Sequence, residues 1–150
     1  MYNIFSIANW FLHKEKMNHK KVQKLCYFSQ CWSLTINNRK LFDEKFEAWC
    51  HGPVCRELWN ELNKYELKKI PKKTLSTYKK KIKKKDKKIL KFIWNTYKSY
   101  DSIDLEFISI KGIPYKNARK GLESYQAGTN IIDEKDMSNC YLYLMNPIQY

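Results

Sequence analysis

The stretch from Asn18 to Ile36 does most to restrict how this chain can fold. Val22, Leu25, Phe28 with Ser29, Trp32 and Ile36 recur at three- and four-residue intervals, which places them on one side of an α-helix. Asn18 supplies the start, because its side-chain oxygen can accept from the open amides of a first turn. Asn37-Asn38-Arg39-Lys40 reads as the turn that ends the helix. Ahead of it, Ile4, Ile7, Ala8, Phe11 and Leu12 give Ile4 to Lys16 the same amphipathic spacing. Two helices in succession set a mainly α frame.

The remainder is consistent with that frame. Leu41 to Trp49 is rich in aromatics and holds no helix start, so it reads as an extended segment or short β-hairpin over residues 41–50, packed by Leu41, Phe42, Phe46 and Trp49. Gly52-Pro53 breaks the chain and reads as the opening of a helix, with proline at its first position. Residues 66–77 form a loop around Pro71, and a helix with Ile82, Ile89, Ile93 and Tyr97 on one side follows. Ser102 is the expected cap of a short helix through Ile110, and Pro114 starts another turn. A last helix is expected from about Glu134 to Leu144. The expectation is one compact helical domain over residues 1–150.

Charge divides the chain sharply. The 150 residues carry 29 Lys and Arg against 15 Asp and Glu, a net +14. Residues 68–91 alone hold thirteen Lys, no Arg and one acid, Asp86, for a net +12. The body is therefore close to neutral and bears one basic block, a lysine-rich loop and helix start at about 66–91. Lys79, Lys80, Lys83, Lys84, Lys87 and Lys88 form its patch. Three readings stay open for it: a solvated face, a docking site for an acidic protein surface, or a site for nucleic-acid phosphates. With Arg39, Arg56 and Arg119 as the three arginines, nucleic-acid binding would be sequence-independent and salt-sensitive.

Catalytic signatures are sparse. Four scattered glycines form no phosphate-cradling loop, and neither a His-Glu-x-x-His pair nor a Gly-x-Ser-x-Gly elbow occurs. Five cysteines without a positively charged leader suggest reduced thiols in the cytoplasm, and no apolar run spans a membrane. Cys26, Cys31, Cys50 and Cys55 with His51 suggest zinc, but i and i+5 positions on a helix diverge, so core cysteine is the preferred reading. A Cys50–His51 nucleophilic pair is the enzyme alternative; adjacent residues of an extended chain point apart. His13 and His19 are expected at the solvated turn between the first two helices. No catalytic, metal or cofactor residue is assigned.

Several segments in order resemble one family. Ile7 to Leu12 reads IANWFL, and Met17 to Gln30 reads MNHKKVQKLCYFSQ, close to the IANYFL and LTPLKLQKLLYFAQ of the Panacea antitoxin domain, also called SocA-like or GepA-like and phage-associated. Leu41 to Val54, LFDEKFEAWCHGPV, is similar to its LFDEPFEAWRYGPV, and Pro114 to Arg119 to its PWKKAR. Ser29 replaces the alanine of YFAQ, His51 the tyrosine of YGPV, and Ser109-Ile110 the Thr-His before PW. The resemblance implies a non-enzymatic antitoxin from a two-gene module, often carried by prophages and mobile elements. It would neutralise a cognate toxin by direct contact, one branch acting as an adaptor to a protease. The contact surface expected on this sequence is Gln23, Lys24, Tyr27, Glu47, Trp49, His51 and Gly52. Sequence-independent nucleic-acid binding by residues 68–91 is the alternative.

Overall fold

Asn18 caps as expected: its side-chain oxygen accepts from the Lys21 amide at 3.0 Å, and helix α2 runs His19–Asn37. The computed structural model describes residues 1–139. Around α2 lie α1 (Ile4–Leu12), α3 (Arg56–Leu62), α4 (Lys84–Tyr97), α5 (Ser102–Ile110), α6 (Ile113–Ala118) and α7 (Glu134–Met137). Strands β1 (Glu47–Trp49) and β2 (Gly52–Val54) pair antiparallel. The fold is mainly α, with α1, α4, α5 and α7 packed on α2 as its central helix.

The predicted stripe of α2 makes the core. Val22, Leu25 and Phe28 are fully buried, and Phe28 stacks on Tyr97 of α4 at 4.7 Å. Trp32 is half-buried against Phe92, whereas Ile36, expected inside, is exposed. It falls in the last turn, where the left-handed Asn38 (φ +49°) turns the chain away.

The polar side chains on α2 are as informative as the apolar ones. Gln30 donates to the Phe42 carbonyl at 2.7 Å and accepts from the Leu41 amide at 2.8 Å. Gln23 does the same for a single residue, donating to the Cys55 carbonyl and accepting from its amide, both at 2.9 Å. Both glutamines are 1% exposed. Backbone entering and leaving the non-helical segment is thereby satisfied by side chains of α2, as buried peptide groups require.

Four expectations need correction. The first helix stops at Leu12, not Lys16, because Met17 turns into the core and its carbonyl accepts the Ile70 amide at 2.9 Å. Gly52-Pro53 is strand, not helix start; α3 begins at Arg56. Pro53 faces Ala48, whose amide points away to the Asn130 carbonyl at 2.8 Å, so the missing proline N–H removes no ladder bond. Accordingly the hairpin spans 47–54 and its outer edge is covered by residues 130–132. Asp101, not Ser102, caps α5, in a capping box with Asp104. The last expected helix starts at Glu134 as read, but α7 ends at Met137 with Ser138 as its cap, and the expected stretch from residue 140 to Leu144 lies outside the described residues.

The lone acid of the lysine block has a structural place. Asp86 on α4 is buried, accepts from the Tyr2 hydroxyl at 2.7 Å and pairs with Arg39. Burial alone would raise its carboxyl pKa, but these bonds from Tyr2 and Arg39 outweigh it and hold the group below the ordinary value. Its contribution is therefore present at neutral pH and lost as pH falls through that lowered value.

Gln30→Ala leaves the Leu41 amide and Phe42 carbonyl buried without partners. It should lower stability by about 2–4 kcal/mol, read as a reduced urea midpoint, while Ile36→Thr at the exposed end should stay within about 0.5 kcal/mol.

Candidate functional site

Clamping by Gln23 lays the hairpin across the N-terminal half of α2. Between them opens a cleft of about 220 Å³, lined by His19, Lys20, Gln23, Lys24, Trp49, Cys50, His51, Val54 and Trp59. Four of the seven expected contact residues, Gln23, Lys24, Trp49 and His51, thus share one cavity.

Its floor is Lys24, which is 2% exposed and donates to the Pro53 carbonyl at 3.2 Å. Gly52 makes room for it. A Cβ there would sit 2.8 Å from Lys24 Cε and 3.0 Å from Ser109 Oγ, and its φ of +107° is one that glycine alone adopts readily. Desolvation lowers the Lys24 pKa to about 8, with Glu106 opposing and Lys20 adding to the shift. Glu106 itself lies 3.6 Å from His51 Nδ1, across an exposed rim.

One wall is aromatic. Trp49 and Trp59 meet at 5.4 Å between ring centroids, and the Arg56 guanidinium covers Trp49 at 5.2 Å. Glu47 fixes that arrangement from the side. It receives Arg56 Nε at 3.0 Å and Nη2 at 2.8 Å, and the Trp49 indole N–H at 3.2 Å. The Arg56 bonds hold its carboxyl below the usual range despite desolvation. Tyr115 supports the loop from behind, its hydroxyl donating to the Trp49 carbonyl at 2.7 Å.

The remaining expected contact residues stand behind the cavity. Tyr27 is core, edge-on to Phe46 at 5.3 Å; Glu47 is buried to 9% exposure; Gly52 packs on Lys24. Sequence reasoning missed His19, Lys20, Val54 and Trp59. His19, expected in solvent, is buried, and its Nδ1 has no hydrogen-bond partner among the described residues. Desolvation, then Lys20 and Lys24, depress its pKa. Nothing in the local sequence announces this burial, because the residues that share the cleft with His19 come from elsewhere in the chain.

Cys26, Cys31 and Cys55 are buried, as core cysteines are, and Cys50 is half-buried at the hairpin turn. Burial pushes the Cys55 thiol up to about 12 and raises Cys26 as well, which keeps both protonated and poorly nucleophilic at neutral pH. Among the described residues no group of three or more His, Cys, Asp or Glu could hold a metal ion. No described helix is long and apolar enough to cross a membrane.

The basic patch lies elsewhere. Lys79, Lys80, Lys83, Lys84 and Lys88 are exposed and Lys87 is half-buried, around the loop before α4 and its first turns. A second cleft of about 260 Å³ there sets Lys79, Lys80, Lys81 and Lys87 beside Trp10 and Tyr78. The three arginines are engaged internally: Arg39 with Asp86, Arg56 with Glu47, and Arg119 with the carbonyls of Ala48, Glu123 and Gln126.

A profile of the family described as antitoxin SocA-like, Panacea domain, matches residues 22–112, more than half the chain. No curated protein and no solved structure matches the chain.

The Lys24 pKa carries a pH signature. The folded state gives up this proton near pH 8, whereas the unfolded chain keeps it to about 10.5. Folding is therefore penalised below that window and relieved as pH rises through it. Relative to Lys24→Met, the wild-type chain should gain stability between these two values, measured by urea unfolding of both proteins at matched pH. A constant difference would remove the buried-ammonium assignment.

Proposed function

Because the chain belongs to the antitoxin SocA-like, Panacea-domain family, we propose that it neutralises a cognate toxin by direct protein contact, as a binding module and not an enzyme. The family match carries this reading. The matched residues include the whole hairpin and, apart from His19 and Lys20, all of the residues lining the cleft. Trp49 and His51 meet the toxin, Lys24 lies at the floor, and Gln23, Tyr27, Glu47 and Gly52 shape the surface from behind. A recessed aromatic pocket with a polar edge is the form that interface anchors take. The protein acts in the cytoplasm, from a two-gene module of a prophage or other mobile element.

A second reading rests on the other cleft, where lysines stand beside Trp10 and Tyr78. Point charges with aromatic faces suit single-stranded or sequence-independent nucleic-acid binding. The internal engagement of all three arginines removes the side chains best suited to reading bases. An acidic protein surface, such as that of a protease receiving the toxin, fits the lysines equally in charge.

Co-expression with the product of the adjacent reading frame separates these. A stable complex on pull-down with restored growth and unchanged toxin level is expected; a falling toxin level would indicate delivery to a protease. Absence of both complex and rescue would sink the antitoxin reading.

A further inference from the structure

Lys24 presents an unusual local problem. An ammonium has three donors, and the structure gives it one acceptor, the Pro53 carbonyl at 3.2 Å. At 2% exposure, water does little to solvate it, and among the described residues no carboxylate lies within ion-pair distance. Glu106, the acid that acts on it electrostatically, stands at the rim with an oxygen 3.6 Å from His51 Nδ1. A buried charge without a partner is strongly unfavourable. Yet the backbone accommodates it: Gly52 leaves the space that any side chain would take from Lys24 Cε.

A residue lining the same cavity also carries a buried polar atom. His19 Nδ1 has no hydrogen-bond partner among the described residues, and its residue is 8% exposed. In the tautomer protonated there it is a donor. Lys20 adds positive charge at the edge, while Trp49, Trp59 and Val54 make the walls. At about 220 Å³ the cavity is smaller than the roughly 300–1,000 Å³ of sites that enclose a small molecule. It has room for one side chain with an apolar stem and a small anionic head.

We propose that this cleft is an anchor pocket for one carboxylate side chain, a glutamate or aspartate of the partner protein, its stem lying against the Trp49–Trp59 pair and its head on Lys24. This rests on the reading that the chain docks a toxin. The Lys24 ammonium, with donors left over after Pro53, matches an anionic head, and the methylenes of the incoming residue lie on the tryptophans. The buried ammonium then confers selectivity, because an uncharged isostere leaves it unpaired.

The test has an arm that does not involve the toxin. The full chain, carrying carbon-13 in lysine, is titrated with N-acetylglutamate N-methylamide, its glutamine counterpart and inorganic phosphate while the Lys24 Cε resonance is followed. With the glutamate probe the resonance should shift and its titration midpoint rise from about 8 toward 10.5. The glutamine probe and phosphate should leave it in place. Equal responses to glutamate and glutamine, or a response to phosphate alone, overturn the proposal. In the second arm, Lys24→Met should weaken toxin binding by about tenfold or more while Asp and Glu substitutions on the toxin identify one residue whose effect is not additive with it. Unchanged affinity in folded Lys24→Met overturns the pocket and leaves the antitoxin reading standing. A wild-type chain that binds no toxin overturns the antitoxin reading, and the first arm then decides the pocket by itself.

Discussion

Two glutamines on one helix face hold the non-helical part of this protein in place. Gln30 grips the backbone where the chain enters the segment after α2, and Gln23 grips it at Cys55, where α3 begins. They stand seven residues apart, two turns of helix, so both point to the same side. Each amide is used at both ends. Without them, the Leu41 and Cys55 amides and the Phe42 carbonyl would be buried without partners, and the Cys55 carbonyl would keep only the Trp59 amide. The same face contributes Lys24 to the Pro53 carbonyl, so successive polar residues of α2 hold one stretch of backbone.

The candidate site is a by-product of that clamp. Pressing a two-residue hairpin loop against a helix leaves a gap whose walls are the side chains flanking the turn, here Trp49 and, from α3, Trp59. Glu47 and Arg56 set the angle of Trp49, Tyr115 holds its carbonyl, and Arg119 holds that of Ala48. Supporting residues from α3 and α6 thus converge on the hairpin. A rigid, recessed and partly charged surface of this type suits recognition, where pre-organisation limits the entropy lost on binding. The lysine block contributes most of the net charge, and it is tied to the fold by buried Ile70, Leu75, Ile82, Ile89 and Leu90 and by Asp86, which joins α4 to Tyr2 and Arg39.

What was legible in the sequence depended on how local its cause was. The span of α2, its Asn18 cap and its buried stripe follow from neighbouring residues, and so does the wet lysine face of α4. Gly52-Pro53 was misread because proline suits both a first helical turn and an unpaired strand position. The choice is made by Asn130 and Ile132, which hydrogen-bond to Ala48 of β1 and to Phe46 just before it from more than seventy residues away. His19 reads as a solvated turn residue for the same reason, since its burial depends on tertiary packing and not on its sequence neighbours. The quoted family blocks located Gln23, Lys24, Gly52 and Arg119 without revealing that two of them clamp backbone, one is buried ammonium and one is the space that admits it.

The central claim is that the face formed by the N-terminal half of α2 and the hairpin, not the lysine block, meets the partner. Hydrogen–deuterium exchange of the full chain with and without its toxin tests this most directly. Added protection in residues 19–24 and 49–59 with little change across 79–88 is the predicted result. Protection confined to 79–88, with the hairpin unaltered, would contradict it.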